Sequence, residues 1–162
     1  MAFCWLVTGW LGNAILYAES VDFQIEEAEA TVITSDRLTF SQRNQYALFE
    51  DNVIVRDQNM RMRADRLTVF FDDANQAERI EATGRVVMQQ EDTTAWAQSA
   101  TYDVELGTIF LEGTPRIRRG RDVLEGDTIT FWRFENKMVC EPRARLVLFP
   151  EEDSSTMSLF GE

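Results

Sequence analysis

The chain has 162 residues, with 16 lysines and arginines against 28 aspartates and glutamates and a net charge of −12. One domain with tails is the expected scale, and the acidic balance argues against a nucleic-acid partner, which needs a basic surface to displace counterions. No histidine is present, which removes the commonest general base, the Ser–His and Cys–His nucleophile pairs and most zinc sites.

Residues 1–18 carry no charge and hold 14 apolar residues. The runs Phe3-Cys4-Trp5-Leu6-Val7 and Ala14-Ile15-Leu16 form an apolar region, and Tyr17-Ala18-Glu19 offers a cleavage point after Ala18. This pattern predicts a secretory signal peptide over 1–18, although no lysine or arginine precedes the apolar run. An uncleaved anchor and a buried strand stay open as alternatives. The stretch is short for a membrane span and is interrupted by Gly9, Gly12 and Asn13. Residues 19–30 read as a linker or short lead-in. Within them Phe23 to Ala30 is the one mild helical candidate.

From residue 31 to 149 the apolar period is that of strands. Leu38-Thr39-Phe40, Leu67-Thr68-Val69-Phe70-Phe71, Ala100-Thr101-Tyr102-Asp103-Val104 and Ile129-Thr130-Phe131-Trp132 are rich in β-branched and aromatic residues. Turn signals separate them, such as Asp72-Asp73-Ala74-Asn75 and Phe134-Glu135-Asn136-Lys137. Evenly spaced short strands predict an all-β sandwich, barrel or solenoid.

The strands repeat. Ser35-Asp36-Arg37-Leu38-Thr39-Phe40 aligns with Ala64-Asp65-Arg66-Leu67-Thr68-Val69, Gln98-Ser99-Ala100-Thr101-Tyr102 and Gly126-Asp127-Thr128-Ile129-Thr130-Phe131. The anchors Asp36, Asp65, Ser99 and Asp127 are spaced by 29, 34 and 28 residues, and the third copy has Ser99 for the aspartate. Each copy has a second half, over 47–55, 80–88, 109–117 and 138–146, that reads as strand, tight turn or bulge, strand. Gly84 and Gly113 would supply positive φ at that turn. Units of this kind cannot bury an apolar face alone and must stack around one interior.

Alternation assigns that interior. Leu38 and Phe40, Leu67, Val69 and Phe71, Tyr102 and Val104, and Ile129 and Phe131 share one side. Ile33 continues it, and Val86 and Met88 add to it from the second halves. By periodicity alone these residues form a closed sandwich core. Arg116, Arg118, Arg119 and Arg121 make a basic cluster that is either a phosphate-headgroup patch or a solvated strand face. Cys140 alternates like a core residue and reads as a small hydrophobe. Asp72 with Asp73, or Asp103 with Glu105, could pair as acid and base, but no nucleophile elbow, phosphate loop, metal-ligand or cofactor motif accompanies them. The chain reads as a non-enzyme. Residues 150–162 form an acidic tail.

The pattern (S/A/G)-D-x-(L/I)-T-(F/V), carried by 35–40, 64–69 and 126–131, with the turns Glu81-Ala82-Thr83-Gly84-Arg85-Val86 and Leu111-Glu112-Gly113, resembles the OstA/LptA-type domain of lipopolysaccharide transport. The resemblance implies an all-β, elongated open β-jellyroll built of repeated short antiparallel strands, with an apolar groove along its length. It implies a periplasmic carrier that shields lipid acyl chains between inner and outer membrane, needing no cofactor. In such a protein the inner face assigned above is the lipid path. The partners implied are lipopolysaccharide or a related glycolipid, homologous β-jellyroll domains of inner- and outer-membrane components, and further copies bound head to tail through the edges near Ile33 and Leu146-Val147-Leu148-Phe149. A membrane-linked homologue and an envelope scaffold that binds no lipid remain as rival readings.

Overall fold

The computed structural model describes residues 30–150. The proposed signal, most of the lead-in with its helical candidate, and nearly all of the acidic tail lie outside the described residues. Twelve strands form one antiparallel sheet: β1 (Val32–Thr34), β2 (Arg37–Ser41), β3 (Tyr46–Arg56), β4 (Met60–Phe71), β5 (Ala77–Gln90), β6 (Thr93–Asp103), β7 (Thr108–Glu112), β8 (Arg116–Arg119), β9 (Asp122–Glu125), β10 (Thr128–Trp132), β11 (Lys137–Glu141) and β12 (Arg145–Val147). No helix occurs among the described residues, and none there is long and apolar enough to cross a membrane.

The short runs of the sequence are halves of longer, bent strands. The register of β3–β4 shifts between Glu50 and Val53, that of β4–β5 between Arg63 and Arg66, and that of β5–β6 between Thr83 and Val86. Beyond β6 the same line becomes a break in the chain. β6 pairs β7 through Ser99–Asp103 and β8 through Thr93–Trp96. β10 and β11 then extend the first half of the sheet, while β9 and β12 extend the second. β2 and β1 likewise pair opposite halves of β3. The result is an open sheet folded along a corner. β1 and β2 form one edge, and β11 and β12 form the other.

The corner explains the repeat. Asp51 and Asn52, Gly84 and Arg85, and Gly113 and Thr114 all have left-handed φ, as does Arg143. In three of these four corners the second residue reaches back to the repeated aspartate. Asn52 Nδ2 donates to Asp36 at 2.6 Å, Arg85 Nε to Asp65 at 3.1 Å, and Arg143 Nε to Asp127 at 2.9 Å. A bulge leaves backbone groups out of the ladder. The local side-chain bonds fix the bend that results.

Register moves the anchor of the third copy by one residue. Gly113 packs against Gln98 as Gly84 packs against Asp65. Ser99 pairs Glu112 as Arg66 pairs Thr83. Gln98, not Ser99, therefore holds the aspartate position. The anchor spacings become 29, 33 and 29, and with Ala97 ahead of Gln98 the third copy has six residues like the others. The sequence alignment chose Ser99 because serine resembles aspartate more than glutamine does, but register decides the equivalence.

Candidate functional site: the inner face of the folded sheet

Cross-strand partners point the same way, so register sorts every strand residue onto one face. In the first half, one inner row runs Leu38, Phe49, Leu67, Ala82, Ala100, Leu111, Ile129, Cys140. The next runs Phe40, Ala47, Val69, Ile80, Tyr102, Ile109, Phe131, Met138. In the second half an inner row runs Ile33, Val55, Met62, Met88, Ala95, Ile117, Leu124, Leu146. Both halves feed one apolar cluster, and no polar or charged residue among the described ones is buried.

Exposure follows position in the sheet. Next to the corner, Leu67, Ile129, Val53 and Val86 are fully buried. One row further out, Ile80, Tyr102, Ile109, Phe131 and Met138 are half-buried. At the edges apolar side chains lie open: Leu38 is 56% and Phe40 62% exposed on β2, and Leu146 is 46% exposed on β12. Phe40 meets Phe71 edge to face with ring centroids 6.2 Å apart, a favourable aromatic geometry.

Of the twelve predicted lining residues, Ile33, Leu38, Phe40, Leu67, Val69, Phe71, Val86, Met88, Tyr102, Ile129 and Phe131 fall on this inner face. Val104 lies past the end of β6, in the β6–β7 hairpin turn, where its N–H bonds Glu78 O at 3.0 Å. Periodicity missed Phe49, Val55, Met62, Ile80 and Leu111. Ala47-Leu48-Phe49 is apolar throughout, so alternation there shows no face. The signal that locates Phe49 is its pairing with Leu67.

The arginine cluster does not converge. Arg116 and Arg118 point outward from β8, flanking buried Ile117. Arg116 bridges Glu125 at 2.8 Å, Arg118 lies 5.5 Å from the Trp96 ring, Arg119 meets Asp92 at 3.4 Å, and Arg121 stacks 4.5 Å from the Phe149 ring. At the rim of the inner face, Arg133 donates to Tyr102 Oη at 2.6 Å.

Three carboxyls sit below their ordinary range. Arg37 does this chiefly for Glu50, helped by Arg66; Arg85 does it for Asp65; Arg145 leads for Glu125, with Arg116. Burial pushes the Cys140 thiol up, its Sγ bonds Glu125 O at 3.3 Å, and a packing role follows. Depressed carboxyl values stabilise the folded state at neutral pH, and that stabilisation is lost as pH falls through the acid range. The urea midpoint is therefore expected to fall between about pH 6 and about pH 3. An Arg37→Gln/Arg85→Gln/Arg145→Gln variant should show a flatter dependence. Parallel pH curves for the two proteins would remove these pairs from the account.

A family model described as LptA/(LptD N-terminal domain) LPS transport protein matches residues 32–137. Among solved structures the chain resembles LptH of Pseudomonas aeruginosa, described as the LptA homologous periplasmic component of the conserved lipopolysaccharide transport device. That likeness has a TM-score of 0.68 at 15% identity, over 76% of this chain and 98% of that chain. It establishes the open jellyroll fold. No curated protein matches the chain.

Proposed function

The chain belongs to the LptA/LptD N-terminal domain family of lipopolysaccharide transport proteins, and from that premise we propose that its inner face carries the acyl chains of lipopolysaccharide across the aqueous space between the two membranes. The observation that supports this reading is the unbroken apolar row from Phe40 to Met138, with Phe40 exposed at its β2 end and Met138 half-buried on the edge strand β11. Each acyl CH₂ exposed to water costs about 0.8 kcal/mol. A row of similar apolarity lets a chain slide without a deep minimum at any one residue. No chemistry is required of the protein, and the driving energy comes from elsewhere in the transport system.

Partners follow from the edges. β1 and β2 on one side, and β11 and β12 on the other, each offer strand edges with no further strand of this chain among the described residues. A homologous jellyroll, or a second copy, adds there by strand pairing and continues the inner rows. The family assignment supports a periplasmic location, on the route between inner-membrane and outer-membrane components.

A photo-crosslinking amino acid placed at Phe40 or Tyr102 in cells is expected to capture a glycolipid. The same probe at Thr39 or Thr101, on the outer face, should capture at least about tenfold less, because successive strand residues face opposite sides. Equal capture from both faces would overturn the lipid path. Absence of any glycolipid adduct, with protein adducts at the strand edges instead, would favour a scaffold that binds no lipid.

A further inference from the structure

The outer face of the second half-sheet is basic on an otherwise acidic protein. Its strand residues include Arg56, Arg61, Arg63, Arg116, Arg118 and Arg145, against one carboxylate, Glu125. Glu125 is held by Arg116 and Arg145. Arg56, Arg61 and Arg63 are exposed, and among the described residues no carboxylate pairs with them. Arg56 and Arg61 stand directly opposite each other in the β3–β4 register, and Arg63 is the next outward residue on β4. Like charges placed opposite one another oppose folding. The uncharged second halves of β5 and β6 follow, presenting Val87 and the Trp96 indole outward, both half-buried, before Arg118 above that indole.

Residues 30–150 hold all sixteen bases and nineteen acids, while residues 19–29 hold five acids and 151–162 hold four. Glu50, Glu81, Glu112 and Glu141 are outward residues of the first half-sheet. With Asp103 they stand among Arg37, Arg66, Arg79 and Lys137 on the same face, so that face is nearly neutral and the basic excess is confined to the second half-sheet.

We propose that this arginine face docks on the phosphate layer of an anionic bilayer, with the first half-sheet turned away. A pleated face several strands wide, carrying spaced guanidinium groups around an indole, matches a planar array of phosphates. A bound peptide strand would instead use an edge, whereas Arg56, Arg61, Arg63, Arg116 and Arg118 stand on strands paired on both sides. Guanidinium groups pair with phosphate oxygens in a bidentate manner, and indoles favour the membrane–water boundary. The contact is independent of the inner-face lipid path, because it uses the opposite side of the sheet.

Flotation of the full chain with vesicles tests it. Vesicles of phosphatidylcholine with about one-third phosphatidylglycerol are expected to bind the protein at low salt and to release it as salt approaches about 0.5 M, where charges are screened within a few ångströms. Pure phosphatidylcholine vesicles should bind at least about tenfold less. Arg56→Gln/Arg61→Gln/Arg63→Gln should lose about tenfold or more in partitioning, while the triple lysine variant, which keeps the charge, should retain binding. Arg79→Gln/Lys137→Gln, on the other outer face, should bind as the parent does. Equal binding to neutral and anionic vesicles, or an unaffected glutamine variant, overturns the proposal. So does a parent that ignores vesicles while Glu26→Gln/Glu27→Gln/Glu29→Gln binds them, since the arginines would then belong to the chain's own acidic lead-in.

Discussion

An Ile129→Ala substitution is expected to lower the thermal midpoint by about 12 °C. Ile129 is fully buried, between Leu111 on β7 and Cys140 on β11. Truncating a side chain enclosed in this way removes transfer energy and leaves a void, at about 3–4 kcal/mol, and a domain of this size loses about 3–4 °C per kcal/mol. Phe40→Ala is the contrasting case. Its ring is 62% exposed at the edge, so the cost should stay below about 1 kcal/mol, while uptake of a fluorescent acyl probe should fall. Circular dichroism melts of both variants separate packing near the corner from lining at the edge. A shift below about 4 °C for Ile129→Ala would mean that the corner rows are loosely filled and belong to the lipid path as well.

Gly84→Ala is expected to cost about 2–3 kcal/mol. The residue sits at φ +80°, and an added Cβ would collide with the Asp65 carboxylate. Two penalties combine: left-handed backbone for an L side chain and a displaced corner bond between Asp65 and Arg85. Gly120→Ala isolates the first penalty, because Gly120 has φ +56° and open space where the Cβ would stand, so it should cost about 1 kcal/mol. Adding Asp65→Ala to Gly84→Ala removes the contacts with the carboxylate, though not the one with the Asp65 Cβ at 2.7 Å, and should recover part of the loss. Urea midpoints of the parent, Gly84→Ala, Asp65→Ala and the double variant give the cycle, with Gly120→Ala measured beside them. Equal costs at Gly84 and Gly120 would show that the corner yields freely and that the Asp–Arg pair does not set it.

Strand content, the fourfold repeat and the inward sides of β4 and β10 were legible because polar and apolar residues alternate there. The face of β3 was not, since Ala47, Leu48 and Phe49 are all apolar and only the pairing partner distinguishes them. The Gln98 position failed for a related reason. Chemical similarity drew the alignment to Ser99, whereas the corner selects by distance from the register pair Ser99–Glu112. Basic residues show the limit most directly. The run Arg116 to Arg121 is conspicuous in the sequence, yet a strand sends its neighbours to opposite sides and acids or rings engage them. Arg56, Arg61 and Arg63 look scattered until the β3–β4 turn brings them together. The repeated aspartate was legible as a signature, but its bond to the second corner residue was not, because that partner is asparagine in one copy and arginine in two others.

The corner recurs every 29 to 33 residues, and each recurrence adds two strands lying side by side. Adjacent strands stand about 4.8 Å apart, so every repeat lengthens the molecule by about 10 Å at constant cross-section. Such a chain works as a ruler. Duplicating or deleting one repeat unit would change its span in fixed increments while leaving the profile presented to a passing hydrocarbon tail the same.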